Sequence, residues 1–369
     1  MIRILFFIVD LGGGGAEKVL VNLVNNLSPS KYDITIRTLF DKGVNRKLLK
    51  SHVHYKPCFP FSPLKGFTHI LKLFSPSTLY RLFIKKSYDI EIAFMHHTPT
   101  RILAGGSSDI PKYAWVHTKS VSPKIYRSER ELIECYKKYN GVAFVSEDAQ
   151  TTFKTDFNLH LINDRVIHNV VDSDEIKRVA SEQIDLNLIP NTIKLCSVGR
   201  LSPEKGYDRL INILGKLKEE DYNNWHLYLL GTGSEEQKIK DLCQKRGILD
   251  KVTLLGYQNN PHKFVSKMDL FVCSSYTEGY STAVTESIIV GTPILTTKCS
   301  GMQEILGDSG AGIITENSEE GLHEGLKILL ANPDKIQAMS ICAKERSKVF
   351  SASQSIKEFE QFIGTLDNA

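Results

Sequence analysis

Ile193-Lys-Leu-Cys-Ser-Val-Gly-Arg-Leu-Ser-Pro-Glu-Lys-Gly206 is the stretch on which the fold turns. An apolar run starts afresh at Ile193, after a polar stretch from Ser173 to Thr192 in which Pro190 and Asn191 mark a linker. The run reads as a strand, Ile193 to Val198, and passes into a turn carrying Arg200 and Lys205. Downstream, strands are expected near Leu227 to Leu230, Val252 to Leu255, Leu270 to Cys273 and Ile294 to Thr296. Upstream they are expected at Ile2 to Val9, Ile34 to Leu39, Ile90 to Phe94, Tyr113 to Val116 and Val142 to Val145. Short apolar runs alternating with amphipathic segments are the pattern of parallel sheets with crossover helices, so the fold class is α/β. A chain of 369 residues exceeds one ordinary core. Two Rossmann-like domains are expected, residues 1–171 and 172–351, facing across a cleft. An amphipathic helix within 352–369 is expected to pack back on the first.

Composition narrows the class. With 41% hydrophobic and 24% charged residues the chain is neither disordered nor fibrous. Seven scattered cysteines, never spaced as a metal knuckle or redox pair, read as reduced thiols. The first strand begins at Ile2 with no leader-like segment before it, and no run approaches 18 apolar residues. The expected location is the cytoplasm, with any membrane contact peripheral. Net charge is +4, but residues 1–172 hold 24 Lys and Arg against 15 Asp and Glu, while the remainder holds 22 against 27. The basic first half is expected to meet an anionic surface. Nucleic acid is not an expected partner.

Gly12 to Gly15 follow the first strand and precede a helical run, Ala16 to Leu27. Glycines there let backbone amides approach a ligand, and a helix N-terminus favours an anion. The dinucleotide fingerprint needs glycine at position 17, which is Glu17, so a nicotinamide-dependent oxidoreductase loses ground. Arg200 and Lys205 at a strand's carboxyl end can neutralise a diphosphate, the first as a fork and the second as a point charge. Glu278 and Glu286 flank a helix start with Gly279 before it and Ser281 as its cap; the first carboxylate can reach sugar hydroxyls and the second ribose hydroxyls. Taken singly, each of these features has an ordinary structural explanation.

Taken in order, they resemble the retaining family 4 glycosyltransferases of the GT-B fold. The matching parts are the glycine loop, His117 in Trp115-Val116-His117-Thr118, His168-Asn169-Val170-Val171-Asp172, Arg200 with Lys205, Gly231-Thr232-Gly233, Gly256-Tyr257, Glu278 with Glu286, and Gly301 with Glu304. The resemblance spans essentially the whole chain. It implies a nucleotide diphosphate sugar donor held mainly by the second domain and a saccharide or lipid-linked acceptor mainly by the first. By the same resemblance Arg200 and Lys205 hold the diphosphate, Glu286 the ribose and Glu278 the transferred sugar. Gly231, Gly233, Gly279, Ser281, Thr282 and Ala283 line the donor, Tyr257 borders the base, and Gly14 and Gly15 close over the phosphate. His117 then lies beside the donor sugar. Tyr280-Ser281 and Val170 depart from the family's commoner residues.

No cofactor or metal is expected, the nucleotide sugar being a substrate; Asp172-Ser173-Asp174 fits a metal-carboxylate pattern but falls at the hinge. The segment Pro63 to Lys86 interleaves Lys65, Lys72, Arg81, Lys85 and Lys86 with aromatic and aliphatic residues, as two short helices broken at Pro76. It fits either an anionic bilayer or a cover for the first sheet. The expected function is retaining, metal-independent hexosyl transfer from a UDP-sugar in bacterial surface glycan synthesis. GDP-mannose as donor and a non-catalytic scaffold are the alternatives.

Overall fold

A computed structural model describes residues 1–61, 70–161 and 163–365. The chain divides into two compact units, Met1–Val171 with Ala352–Ala369, and Asp172–Ser351. Unit 1 is built on seven strands: β1 (Ile2–Ile8), β2 (Tyr32–Phe40), β3 (Val53–Phe59), β4 (Ile90–Ala93), β5 (Lys112–Val116), β6 (Gly141–Phe144) and β7 (Asp164–Val166). All pair in parallel, in the order β3-β2-β1-β4-β5-β6-β7. Unit 2 has six: β8 (Ile193–Val198), β9 (Trp225–Leu230), β10 (Val252–Gly256), β11 (Leu270–Cys273), β12 (Ile294–Thr297) and β13 (Gly312–Thr315). These too are parallel, in the order β10-β9-β8-β11-β12-β13.

Central strands read as continuous apolar runs because helices cover both faces; five consecutive residues of β1, Ile4 to Ile8, are fully buried. Three strands escaped the sequence reading, β3, β7 and β13, and all three are sheet edges. One flank of an edge strand meets no partner strand, so it tolerates His54, Lys56 and Pro57 in β3 and the polar Asp164-Arg165 of β7. β13 is short and opens with Gly312. The polar stretch after Asp172 is likewise more ordered than expected. Ser173–Ala180 is a helix that buries Ile176 and Ala180, and Asp172 caps it by accepting a hydrogen bond from the Glu175 amide at 3.1 Å. Residues 63–69 of the basic-aromatic segment lie outside the described residues. The rest forms a turn at Leu71–Leu73 and a helix at Pro76–Phe83, with Ser75 accepting from the Thr78 amide.

The helix Ala352–Phe362 completes unit 1. Phe359 lies against Phe6 and Trp115, with ring centroids 6.0 and 6.1 Å apart, and Phe362 meets Tyr113 edge-on at 5.0 Å. The Tyr32 hydroxyl donates to Glu360 at 2.7 Å, and the Tyr113 hydroxyl to the Ile363 carbonyl at 3.2 Å. The aromatic stack continues from Trp115 through Phe94 to His117. Truncating the fully buried Phe359 to alanine should destabilise unit 1 by about 3–5 kcal/mol. Trp115 and Trp225 report one unit each, so 5-fluorotryptophan NMR in a denaturant titration resolves the effect. Only the Trp115 signal should shift its midpoint strongly.

Candidate functional site

A parallel sheet whose order reverses leaves a crevice at the carboxyl ends of the two strands at the reversal, because their connections run to opposite sides. In unit 2 that point lies between β8 and β11, and in unit 1 between β1 and β4.

In unit 2 the loops after β8 and β11 clasp each other. The Tyr276 amide donates to the Glu204 carbonyl at 2.9 Å, and the Ser274 hydroxyl to the Lys205 carbonyl at 2.9 Å. Gly206 has φ +62°, and a side chain there would collide with the Ser274 carbonyl, so only glycine permits this approach. Across the clasp the Lys205 ammonium meets Glu278 Oε1 at 2.7 Å, and the Ser275 hydroxyl donates to the same oxygen at 2.6 Å. Both charged side chains are largely covered, 22% and 12% exposed. Burial acts to lower the Lys205 pKa, but the Glu278 charge and hydrogen bond, with smaller help from Cys273 and Glu204, raise it above the ordinary lysine value. Lys205 is therefore a fixed cation at neutral pH. Arg200 differs: its side chain is 70% exposed and pairs with Glu204 at 3.3 Å. Such a surface pair is worth about 0–1 kcal/mol, so an arriving anion can recruit the guanidinium at little expense.

The neighbouring loop after β9 is drawn in by backbone bonds. Leu201 donates to the Thr232 carbonyl at 3.0 Å, Glu235 donates to the Leu201 carbonyl at 2.9 Å, and Gly231 donates to the Gly256 carbonyl at 2.7 Å. Side chains at Gly231 or Gly233 would collide with the carbonyls of Gly199 or Leu201. Tyr257 is exposed after β10, the edge strand. Ser281 caps the helix Thr282–Ile289 by accepting from the Val284 amide at 3.4 Å, so the helix opens directly after Gly279 and Tyr280 with Thr282 and Ala283 in its first turn. Glu286, in its second turn, lies 3.9 Å from Nδ1 of His262.

In unit 1 the loop after β1 holds the glycines. Gly15 is the first residue of the helix Gly15–Asn26 and Gly14 is its cap position. A side chain at Gly14 would collide with the Glu17 carboxylate, so an acidic group of the chain itself sits at this helix start, where a phosphate was expected. The loops after β4 and β5 carry three imidazoles. His117 bonds the Phe94 backbone, and its Nε2 is buried without a partner, as are Nδ1 of His96 and Nδ1 of His97. Burial holds the His117 pKa down, to about 4, and depresses His96 and His97 as well. All three rings are neutral at pH 7.

Comparisons with known proteins give the family and the fold. Residues 13–175 match the family Glycosyltransferase Family 4 and residues 180–346 match Glycosyl transferases group 1. The chain belongs to the family 4 glycosyltransferases. Its relatives include the N-acetylgalactosamine-N,N'-diacetylbacillosaminyl-diphospho-undecaprenol 4-alpha-N-acetylgalactosaminyltransferase of Campylobacter jejuni, 26% identical over 97% of this chain and 98% of that one. A lipopolysaccharide core biosynthesis glycosyltransferase of Rhizobium meliloti is 27% identical over 46% of this chain and 48% of its own length. Among solved structures, Anabaena HepE in complex with UDP-glucose superposes with a TM-score of 0.76 at 18% identity, covering 99% of this chain and 100% of that one. TarM of S. aureus with UDP gives 0.73 at 15%, covering 98% and 100%. The glycosyltransferase thus has the GT-B fold.

Of the residues singled out in the glycosyltransferase's sequence, Lys205 and Glu278 meet directly, whereas Arg200 pairs with Glu204 and Glu286 neighbours His262. Sequence reasoning missed Arg209. This arginine is 2% exposed and donates to the carbonyls of Ser274 at 2.8 Å and Ser275 at 2.6 Å, with its guanidinium 4.1 Å from the Tyr276 ring. Thr297 and Cys299 donate to the same Ser275 carbonyl. The clue lay in the helix pattern, since Arg209 falls one turn before the buried Ile213.

A neutral buried imidazole makes stability pH-dependent in a defined direction. The contribution of His117 is complete above the unfolded value of 6.5 and is lost as pH falls from there toward about 4, because the unfolded chain takes up the proton first. Denaturation of the wild type and of His117→Gln across this window checks it. The variant's stability should fall less, and parallel curves would contradict the assignment.

Proposed function

We propose that this glycosyltransferase moves a hexosyl or N-acetylhexosaminyl group, with retention of anomeric configuration, from a UDP-sugar to a lipid-linked saccharide in bacterial surface glycan synthesis. The observation that carries the reading is the largely covered Lys205–Glu278 pair clasped at the strand reversal of unit 2, beside the exposed Arg200. Cleaving the donor's glycosidic bond loads negative charge onto the departing diphosphate. Cations already fixed in position stabilise that charge more than the ground state, and this difference lowers the barrier. Lys205 supplies a positioned cation. Arg200, loosely held, adds a fork once the diphosphate is present. Releasing Glu278 from part of its bond to Lys205 frees carboxylate oxygens for sugar hydroxyls, while Ser275 keeps it placed. Glu286 beside His262 takes the ribose, and the family resemblance gives His117 a role toward the transferred sugar.

The choice of uridine is supported by the UDP and UDP-glucose named in the HepE and TarM structures, and the lipid-linked acceptor by the diphospho-undecaprenol in the name of the Campylobacter relative. GDP-mannose is the second donor candidate. Turnover without a divalent metal is part of the proposal: Asp172, in the one paired-aspartate pattern, is engaged as a helix cap by accepting from the Glu175 amide.

Activity with UDP-sugars should survive chelator. Arg200→Ala or Lys205→Ala should reduce kcat by a factor of order 10² or more. Glu278→Gln should lower turnover while UDP still binds, whereas Glu286→Ala should weaken UDP binding itself. Metal-restored activity after chelation, normal turnover by the two cation variants, or tighter binding of GDP than UDP would each overturn the corresponding part. NMR of the product's anomeric centre tests retention.

Membrane association through unit 1 belongs to the same reading. Leu73 is 75% exposed and Ile70, Phe74 and Leu82 are also exposed, while Arg101 and Arg127 tie down the backbone carbonyls of Leu71 to Phe74. Apolar side chains on a clamped turn, with Arg81, Lys85 and Lys86 exposed nearby in sequence, suit an anionic interface. Among the described residues no helix is long and apolar enough to cross a membrane. Flotation with anionic liposomes should recover the protein and rising salt should release it. Equal recovery with neutral vesicles would remove the electrostatic basis.

A further inference from the structure

The loop after β4 borders the reversal in unit 1, and it carries a backbone feature that the site described so far does not use. His97 has φ +80° and ψ −120°, a conformation that side chains with a Cβ avoid. Three interactions hold it there. The Arg101 amide donates to the His97 carbonyl at 3.0 Å, the Tyr126 hydroxyl donates to the same oxygen at 3.3 Å, and Thr100 ties back to the Met95 carbonyl at 3.1 Å. The helix that follows, Thr98–Leu103, is buried throughout, so the strained residue cannot relax by sliding.

The strain is accompanied by unmet hydrogen-bonding capacity. The rings of His96 and His97 pack with centroids 4.1 Å apart, and each has an Nδ1 that is buried without a partner. His96 is almost wholly buried and His97 is partly exposed. Buried polar atoms left unpaired are rare and concentrate where a ligand completes them. Strained residues, too, persist where the surrounding structure over-determines them at functional positions.

We propose that His96 and His97 form a seat for hydroxyl groups of the acceptor saccharide, with the strained backbone serving to hold the His97 ring at the crevice. The inference rests on the glycosyl-transfer reading and specifies its acceptor side. The ligand class follows from charge. One nitrogen of each ring is already engaged, His96 Nε2 with the Thr118 hydroxyl at 3.4 Å and the His97 ring with the Ser122 backbone, which leaves one Nδ1 on each neutral ring, and two adjacent ring nitrogens suit neighbouring hydroxyls of a sugar, each of which can donate or accept. An anion such as a phosphate is disfavoured, because burial depresses both rings' pKa and keeps them uncharged.

The test uses the full chain with ¹³C-histidine labelling and two neutral probes, p-nitrophenyl N-acetyl-α-galactosaminide and p-nitrophenyl α-glucoside. The His97 ring signal, identified by its loss in His97→Gly, should move saturably with at least one probe. His97→Gly should bind that probe at least tenfold more weakly, bind UDP within twofold of wild type, and melt at the wild-type Tm or above, since glycine accepts the backbone conformation. His97→Asn, which tolerates positive φ and keeps a hydrogen-bonding group, should recover part of the affinity. A His97 signal that neither probe moves, probe binding unchanged in His97→Gly, or a fall in Tm accompanied by loss of UDP binding would overturn the proposal. The two readings fail separately. Probe binding through His97 without turnover of any nucleotide sugar removes the transfer reading and leaves the seat, whereas turnover whose acceptor KM ignores His97→Gly removes the seat alone.

Discussion

Where a parallel sheet reverses its strand order, the two loops at the reversal have no crossover helix to cover them, and whatever they carry must be stabilised by the loops themselves. Unit 2 meets this constraint by backbone contact. The approach of Gly206 to the Ser274 carbonyl, the bonds from Tyr276 and Ser274 to the opposite loop, and the buried Arg209 beneath them make one rigid seam from two segments about seventy residues apart. Lys205 and Glu278 are carried on that seam. Their close pairing follows from how the backbone is joined, which brings the two side chains within reach of each other and leaves their rotamer entropy as the cost of pairing.

The two units meet the same topological constraint with different chemistry. Unit 2 places opposite charges at its reversal, while unit 1 places uncharged imidazoles and a glycine turn whose helix start is occupied by Glu17. A charged seam suits a ligand that is itself charged. A neutral one, whose unpaired ring nitrogens are costly until something pairs with them, suits a polyol. On the proposed reading, electrostatics within each unit divides the donor side from the acceptor side.

Much of this was legible in the sequence where burial is two-sided. β11 is an unbroken apolar run, β1 and β8 are apolar apart from Arg3, Lys194 and Ser197, and the basic and acidic residues just beyond β8 and β11 could be located from strand ends alone. Three of the four edge strands were not legible, because β3, β7 and β13 need satisfy only one neighbour and carry polar or glycine residues without penalty, whereas the more apolar edge strand β10 was. Arg209 was missed because an arginine on a helix is usually solvated, and it is the carbonyls of residues 274 and 275, with the Thr297 hydroxyl and the Tyr276 ring, that make its burial favourable. The strain at His97 is a property of ψ as much as of φ, and no residue type announces it.

The path of the chain adds a constraint on synthesis. Unit 2 is one continuous segment, whereas unit 1 is closed by a helix that follows it in the chain. During translation the rings of Phe6, Tyr113 and Trp115 therefore stay uncovered until all of unit 2 has been made, which at about 5–20 residues per second takes on the order of tens of seconds. Over that interval the nascent chain carries a growing second half and an unfinished first half with an open aromatic face. Trigger-factor-like holdases act on surfaces of this kind, and slowing elongation within unit 2 would lengthen the exposure in direct proportion.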